Sequence, residues 1–462
     1  MTETADAPTA NPYLEGNFAR VDSELTAFDL EVIGQIPESL DGRYLRNGGN
    51  PIVPPDPASS HWFMGTGMVH GVRLRGGRAE WYRNRWVRGD DVTELLGEPA
   101  VPGPTRQLDF SPNTSVIGYA GTTWALVEGG VLPTELDYEL STVCRNDFFG
   151  TLPNGFTAHP KFDPADGQMH AICYAWQDLF DRVEYVVVGS DGRVVKRVEV
   201  PLPGMTMIHD MALTENYAVI YDLPVTVDLE IALSGESSFP FRWDPDYGAR
   251  VGLLPREGTA DQIVWCDVGL CYVFHSLNAY EDSDGRVVLD LCRYDKMFER
   301  DKLGPAGDAQ PTLDRWIIDP ATRQVSEERV DDRFHEFPHV SADRVGRDHR
   351  YGYTVSVGDG LVPGATCKID YRTGDIAYHD HGPGRGTGEG IFIADPEGSA
   401  EDDGWLMSFV YDEARHGSDL VILDARDLSR PPVARVPLPQ RVPYGFHGNW
   451  VPDTSVAPPS GN

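Results

Sequence analysis

An antiparallel all-β protein, closed into a radial or barrel arrangement, is predicted by three features: many short β-like runs, tight-turn residues between them, and no composition break along 462 residues. The runs begin with GMVHGVRL (67–74) and EWYRNRWV (80–87), separated by Gly76-Gly77. TTWALVEG (122–129), EYVVVGS (184–190) and VVKRVEV (194–200) follow, the last two joined through Asp191-Gly192. Next come YAVIYDL (217–223), QIVWCDV (262–268) and VVLDLCRY (287–294), the last preceded by Asp284-Gly285. YGYTVSV (351–357), DIAYHD (375–380) after Thr373-Gly374, WLMSFVYD (405–412) and DLVILDA (419–425) complete the series. Gly at such positions tolerates positive φ and closes hairpins. Amphipathic helix patterns are scarce, and 48 Gly with 36 Pro suit turns and long loops. A sandwich of this length would be unusually large, whereas a closed arrangement leaves few exposed edges. Residues 13–450 read as a single domain, with 1–12 and 451–462 as loosely ordered ends.

The composition, 40% hydrophobic and 24% charged, is that of a globular protein with a substantial core. A formal charge of −33 repels phosphate backbones and anionic lipid surfaces, so no nucleic-acid partner is expected. The six cysteines include no CxxC pair and are expected reduced in a partly buried setting. The polar, acidic N-terminus and the lack of an 18-residue apolar run lead to the expectation of a cytoplasmic protein.

Four of the 13 histidines share a setting: GFTAHPKFD (His159), MTMIHDMALTENY (His209), YVFHSLNAYE (His275) and PYGFHGNW (His447). Each follows an apolar or aromatic run, which predicts an imidazole presented at the inner end of a strand. Ligands so widely spaced converge only where a fold brings many strand ends together, as at a propeller axis. Imidazole suits Fe, Zn, Cu and Ni, and four neutral ligands leave a divalent ion its full charge and, in an octahedron, two free positions. Any one of these residues alone reads equally as a hydrogen-bonded core histidine. Three glutamates in apolar or Gly-rich surroundings add weight: Glu128 (WALVEGG), Glu336 (HEFPHV) and Glu389 (GTGEGIFI). Metal-bound histidines usually give their second N–H to such carboxylates. Two rival pairs exist. His335 and His339 flank Glu336, but Pro338 opposes the helix that would align them. His379 and His381 share a strand face in YHDH and read as solvated residues or a surface ion site.

At these residues the sequence resembles the carotenoid cleavage oxygenase family, from about Asn11 to Trp450. PESLDGRYLRNGGNP (37–51), HWFMGTGMVHG (61–71), YRNRWVR (82–88) and PYGFHGNW (443–450) carry the likeness, together with the ordered histidine and glutamate motifs. The resemblance implies a seven-bladed β-propeller with a loop-built dome over a central metal site. It also implies Fe(2+) held by His159, His209, His275 and His447, with Glu128, Glu336 and Glu389 behind His209, His275 and His447 and none behind His159. O2 is then the co-substrate, splitting a C=C bond of a conjugated chain into two carbonyl products. Phe156, Phe274, Phe337 and Phe446 adjoin the motifs and are candidates for packing near the metal.

Two departures from the family pattern occur, Thr66 in place of an acidic residue and Gly49 in place of proline, both touching local turns rather than the metal. Stilbene-cleaving relatives tend to place a lysine where Val127 stands, so a carotenoid or apocarotenoid polyene is favoured over a stilbene or phenylpropenoid. The segment from Trp86 to Glu128 lacks an extended apolar stretch, so at most weak membrane association is expected. A non-catalytic propeller binding module is the alternative of another class, and isomerase or hydrolase chemistry a third reading. The oligomeric state is not legible.

Overall fold

The computed structural model describes residues 11–106, 109–174, 181–234, 239–301, 303–305, 307–358 and 361–453. Every run named above contains a strand, and all its paired strands are antiparallel. The turn glycines do what hairpins require of them: Gly76, Gly77, Gly192, Gly285 and Gly374 all have φ between 53° and 79°.

One five-stranded, three four-stranded, one six-stranded and one seven-stranded sheet form the body, with a separate ribbon of Val225–Val227 and Phe241–Trp243. The seven-stranded sheet turns at Gln324–His339, which pairs with Thr312–Asp319 through its first part and with Tyr351–Val357 through its last. Splitting the sheet there leaves seven sheets of four or more strands. The end strands of these sheets abut around one axis. Lys161–Phe162 lies against Met211–Leu213, which lies against Tyr272–Glu281, which meets Gln324–His339. Gly448–Pro452 likewise lies against both Ser115–Tyr119 and Ile391–Ala394. This is a β-propeller.

Closure joins the two ends of the chain. Gly448–Pro452 pairs with Gly42–Arg46, so the last strand completes a sheet begun by the first third of the sequence. The expected C-terminal boundary at 451 therefore falls too early, because Val451 is a buried member of this strand. At the other end, Asn11 is buried, and its amide donates to the Pro57 and Ser60 carbonyls while its side-chain oxygen accepts from Tyr13 N–H. The expected tail at 1–12 thus excludes residues 11 and 12, and its remainder, like 454–462, lies outside the described residues. The sheets pack through apolar clusters such as Trp124, Phe148 and Phe156, and truncating a fully buried aromatic of this kind costs about 3–5 kcal/mol. All six cysteines stand free, and all but Cys144 are buried.

Candidate metal centre

Three of the four predicted histidines stand just before an axial strand rather than at the end of an inward-running one, which corrects the expected placement. His159 precedes Lys161–Phe162, His209 precedes Met211–Leu213 and His447 precedes Gly448–Pro452. His275 lies inside Tyr272–Glu281, where the register slips between Val273 and Ser276. A bulge re-aims a side chain that regular alternation would direct elsewhere.

The four rings meet at the axis. Nε2 of His159 and His209 are 2.9 Å apart, those of His209 and His275 3.2 Å, and those of His275 and His447 3.2 Å. Behind three of them stand the predicted glutamates: His209 Nδ1 lies 2.8 Å from Glu128 Oε2, His275 Nδ1 2.6 Å from Glu336 Oε2, and His447 Nδ1 3.2 Å from Glu389 Oε1. A carboxylate on Nδ1 keeps the proton there, so the neutral ring presents an Nε2 lone pair. Three such lone pairs facing one point repel unless a cation lies among them. Two nitrogens bound at right angles at about 2.1 Å from one ion would lie about 3.0 Å apart, which matches the spacing observed. The donor set fits a divalent transition metal.

Glu336 and Glu389 are themselves held. Tyr294 OH donates to Glu336 Oε1 at 2.9 Å, and Phe337 N–H to Oε2 at 2.6 Å. Tyr174 stands with Glu128 in the same cavity wall, and Gly448 N–H donates to Glu389 Oε2 at 2.8 Å. Phe337 adopts φ +52°, a left-handed conformation that costs about 1–2 kcal/mol in a non-glycine residue. Its N–H bond to Glu336 helps to hold it there, and its ring packs 5.8 Å from that of His275.

Charge follows burial. Desolvation, reinforced by His447 and His209, keeps the His159 and His275 imidazoles far below their usual value. Burial also opposes protonation of His209, but Glu128, Asp210 and Glu336 together outweigh it and raise the group. Burial pushes Glu336 up to about 7, while Glu389 falls below the usual range because His447 and the Gly448 N–H outweigh its burial.

Two cavities meet at this centre. The first is lined by Trp62, Phe63, Phe239, Phe274, Phe337 and Phe446, with His209, His275 and His447 in its wall. Val127, Tyr174 and Tyr294 also face it. Phe156 does not, because it packs against Phe148 in a neighbouring core. The second cavity reaches His159, His275 and His447 from among the axial strands.

Over 98% of its length this chain is 45% identical to the whole of a carotenoid cleavage oxygenase of Mycobacterium tuberculosis, and the family described as retinal pigment epithelial membrane protein matches residues 18–452. It belongs to the carotenoid cleavage oxygenase family. A carotenoid 9,10(9',10')-cleavage dioxygenase of Phaseolus vulgaris is 31% identical over 98% of this chain and 91% of that protein. Among solved structures, the cobalt-substituted Synechocystis ACO superposes with a TM-score of 0.84 at 29% identity, covering 94% of this chain and 97% of the other. Pseudomonas brassicacearum lignostilbene dioxygenase superposes at 0.86 with 27% identity, covering 97% and 100%.

The rival sites resolve differently. His335 is bonded to Thr354 Oγ1 and Asp331 Oδ2, in a strand rather than a helix, and His339 lines the second cavity. His379 Nδ1 meets the Leu428 carbonyl and His381 Nε2 meets Thr366 Oγ1, and His381 lies beyond the end of the strand Asp375–His379. A further acidic group, Asp163, Asp166 and His170, is occupied by Arg256, which donates to Asp163 at 2.5 Å and lies 3.1 Å from His170 Nε2. Sequence reasoning missed Tyr174 and Tyr294, since nothing in AICYAW or CRYDKM marks them; it named Phe337, which does pack against His275, but not its left-handed backbone. The two departures from the family pattern face each other: Thr66 Oγ1 donates to the Asn50 carbonyl, and Gly49 bridges to Gly67.

Proposed function

We propose that this protein is a non-haem iron(II) dioxygenase that uses O2 to cleave a C=C bond of a carotenoid or apocarotenoid into two carbonyl products. The observation that carries this reading is the convergence of four Nε2 lone pairs at the wall of an aromatic cavity. His159, His209, His275 and His447 would hold the iron, and Glu128, Glu336 and Glu389 would fix the tautomers of three of them. When bound, iron(II) supplies a site that activates O2 beside an electron-rich alkene. The chain's part is to position and to exclude. Phe63, Phe274, Phe337 and Phe446 give a polyene apolar faces to lie against, and they keep water from the reacting bond. The position of the substrate along the cavity then selects the bond that is cut.

Polyene is favoured over phenol by what the polar groups are already doing. Val127 stands beside Glu128 in the cavity wall, and no lysine lines it among the described residues. The Tyr294 hydroxyl is engaged by Glu336, and the arginine in the wall, Arg46, donates to the Pro443 carbonyl. A phenolate would therefore find no cation beside Glu128 among the described residues. A panel of apocarotenals is expected to turn over faster than 4-hydroxystilbenes, and Val127→Lys should move the ratio toward phenols. Faster cleavage of hydroxystilbenes by the unmodified protein would overturn the assignment. The same assay on iron-loaded protein separates this reading from a binding module, which would take up the polyene and release no aldehyde.

The protein's compartment is proposed as the cytoplasm. Among the described residues no helix is long and apolar enough to cross a membrane.

A further inference from the structure

The two cavities differ in what they can admit. The aromatic one suits a polyene: its carboxylates, Glu128 and Glu336, are taken up by His209 and His275 at the centre itself, so a hydrated divalent ion would have to shed water against Trp62, Phe63, Phe239 and Phe446 before reaching them, which is costly. The second cavity runs among the axial strands and is the roomier, about 410 Å³ against about 120 Å³. Its wall carries Ser115, Lys161, Asp210, Ser276, Asn278 and His339. Asp210 is buried, paired with Lys161 at 2.8 Å and accepting from Ser276 N–H and Oγ–H, so the wall offers oxygen atoms without a strong net charge. At its outer end Ala342 and Ala394 are exposed. At its inner end lies His159, which lines this cavity and not the aromatic one.

His159 also differs from the other three in its support. Its Nδ1 meets no carboxylate among the described residues, whereas a glutamate stands behind Nδ1 of each of the other three. A metal arriving from this side meets the least constrained ligand first.

We propose that the metal ion is loaded, as a hydrated divalent cation, through the axial cavity past Ala342, Ala394 and His159, while the aromatic cavity is reserved for the organic substrate. This rests on the reading of the four histidines as a metal site. The test follows cobalt(II) uptake by metal-free full-length protein through its visible absorption, with no turnover involved. Ala394→Trp and Ala342→Trp narrow the outer end and are expected to slow uptake about tenfold or more. Removal by a chelator should slow by the same factor, so that the final stoichiometry and affinity stay those of the unmodified protein. That paired slowing distinguishes a narrowed route from a damaged site, which would release metal faster. Ala394→Glu should speed uptake and Ala394→Lys slow it at low ionic strength, with the difference fading as salt is added. Mouth variants that bind and release cobalt at the unmodified rates would overturn the route while leaving the metal site intact. Failure of the unmodified protein to bind cobalt after prolonged incubation would overturn the metal reading, and the route with it.

Discussion

Three of the four convergent histidines are held at Nδ1 by a glutamate, and the fourth is not. His209, His275 and His447 each have a glutamate behind Nδ1, and Glu336 and Glu389 have a further donor, from Tyr294 and Gly448 respectively. His159 has only its backbone N–H tied, to Thr157 Oγ1 at 3.2 Å, and no such brace on its ring among the described residues. The division follows the two cavities. The braced trio lines the aromatic side, where water cannot serve an exposed Nδ1–H and an unpaired polar atom is costly. His159 lines the wider axial cavity, where water can do so. His275 and His447 reach both cavities and Glu389 lines the axial one, so bracing goes with contact to the aromatic side rather than with isolation from the axial side, and the three carboxylates offset the charge of a divalent ion.

The largest effect expected from this comparison is at the braced ligands themselves. His447→Ala or His209→Ala removes a donor and leaves the buried Glu389 or the half-buried Glu128 beside the gap with its histidine partner gone. Metal analysis should find the ion lost, and product formation should be absent. Retention of full metal content in either variant would remove that residue from the ligand set. His379→Ala and His381→Ala serve as controls and should retain both metal and turnover, because those rings are satisfied by Leu428 and Thr366.

A smaller loss should follow when the brace alone is weakened. Glu336→Gln keeps the size of the side chain but removes its charge, and an amide turned the wrong way presents NH2 to the His275 Nδ1–H. Changes of this kind cost about 10–100-fold in metal affinity or activity. Metal titration and turnover of the folded variant should fall in that range, with Glu128→Gln and Glu389→Gln alongside it. An unchanged affinity in Glu336→Gln would mean that His275 needs no more support than His159 has.

Much of this was legible before any coordinates. The strand runs and their glycine turns were readable because period-two patterning and positive-φ residues are local properties. The histidines and glutamates were readable as motifs, and their convergence followed from the need for a radial fold to unite them. Other features were not local. The placement of His159, His209 and His447 ahead of their strands depends on how the axial loops turn, and the aim of His275 on a bulge. Val451 looked like the start of a Pro-rich tail because its pairing partner, Arg43, lies at the other end of the chain. Phe156 had the composition of a cavity residue, yet it faces Phe148 and Trp124. Tyr294 gained its role only from a contact across strands, and the left-handed turn of Phe337 only from its bond to Glu336.

Tyr294 offers the finest cut between braced and unbraced ligands, because it acts two steps from the proposed metal. Its hydroxyl donates to Glu336 Oε1, while Glu336 Oε2 accepts from both His275 Nδ1–H and Phe337 N–H. Tyr294→Phe keeps the ring in the cavity wall and removes one donor from a buried carboxylate. Glu336 then has more freedom to rotate away from His275, and Phe337 loses part of the restraint on its left-handed backbone. A net hydrogen bond to a charged group is worth about 1.5–3 kcal/mol, but Glu336 retains its other two partners, so the loss should lie at or below the lower end. That corresponds to roughly a tenfold or smaller fall in metal affinity. If Tyr294 acts through Glu336, adding Tyr294→Phe to Glu336→Gln should cost less than it does alone, which a double-mutant cycle on metal affinity reads directly. If Tyr294 instead matters only as part of the cavity wall, Tyr294→Phe will leave metal affinity unchanged and the two effects on substrate binding will add. In that case the support of His275 would end at Glu336, and the contrast with His159 would shrink to a single carboxylate.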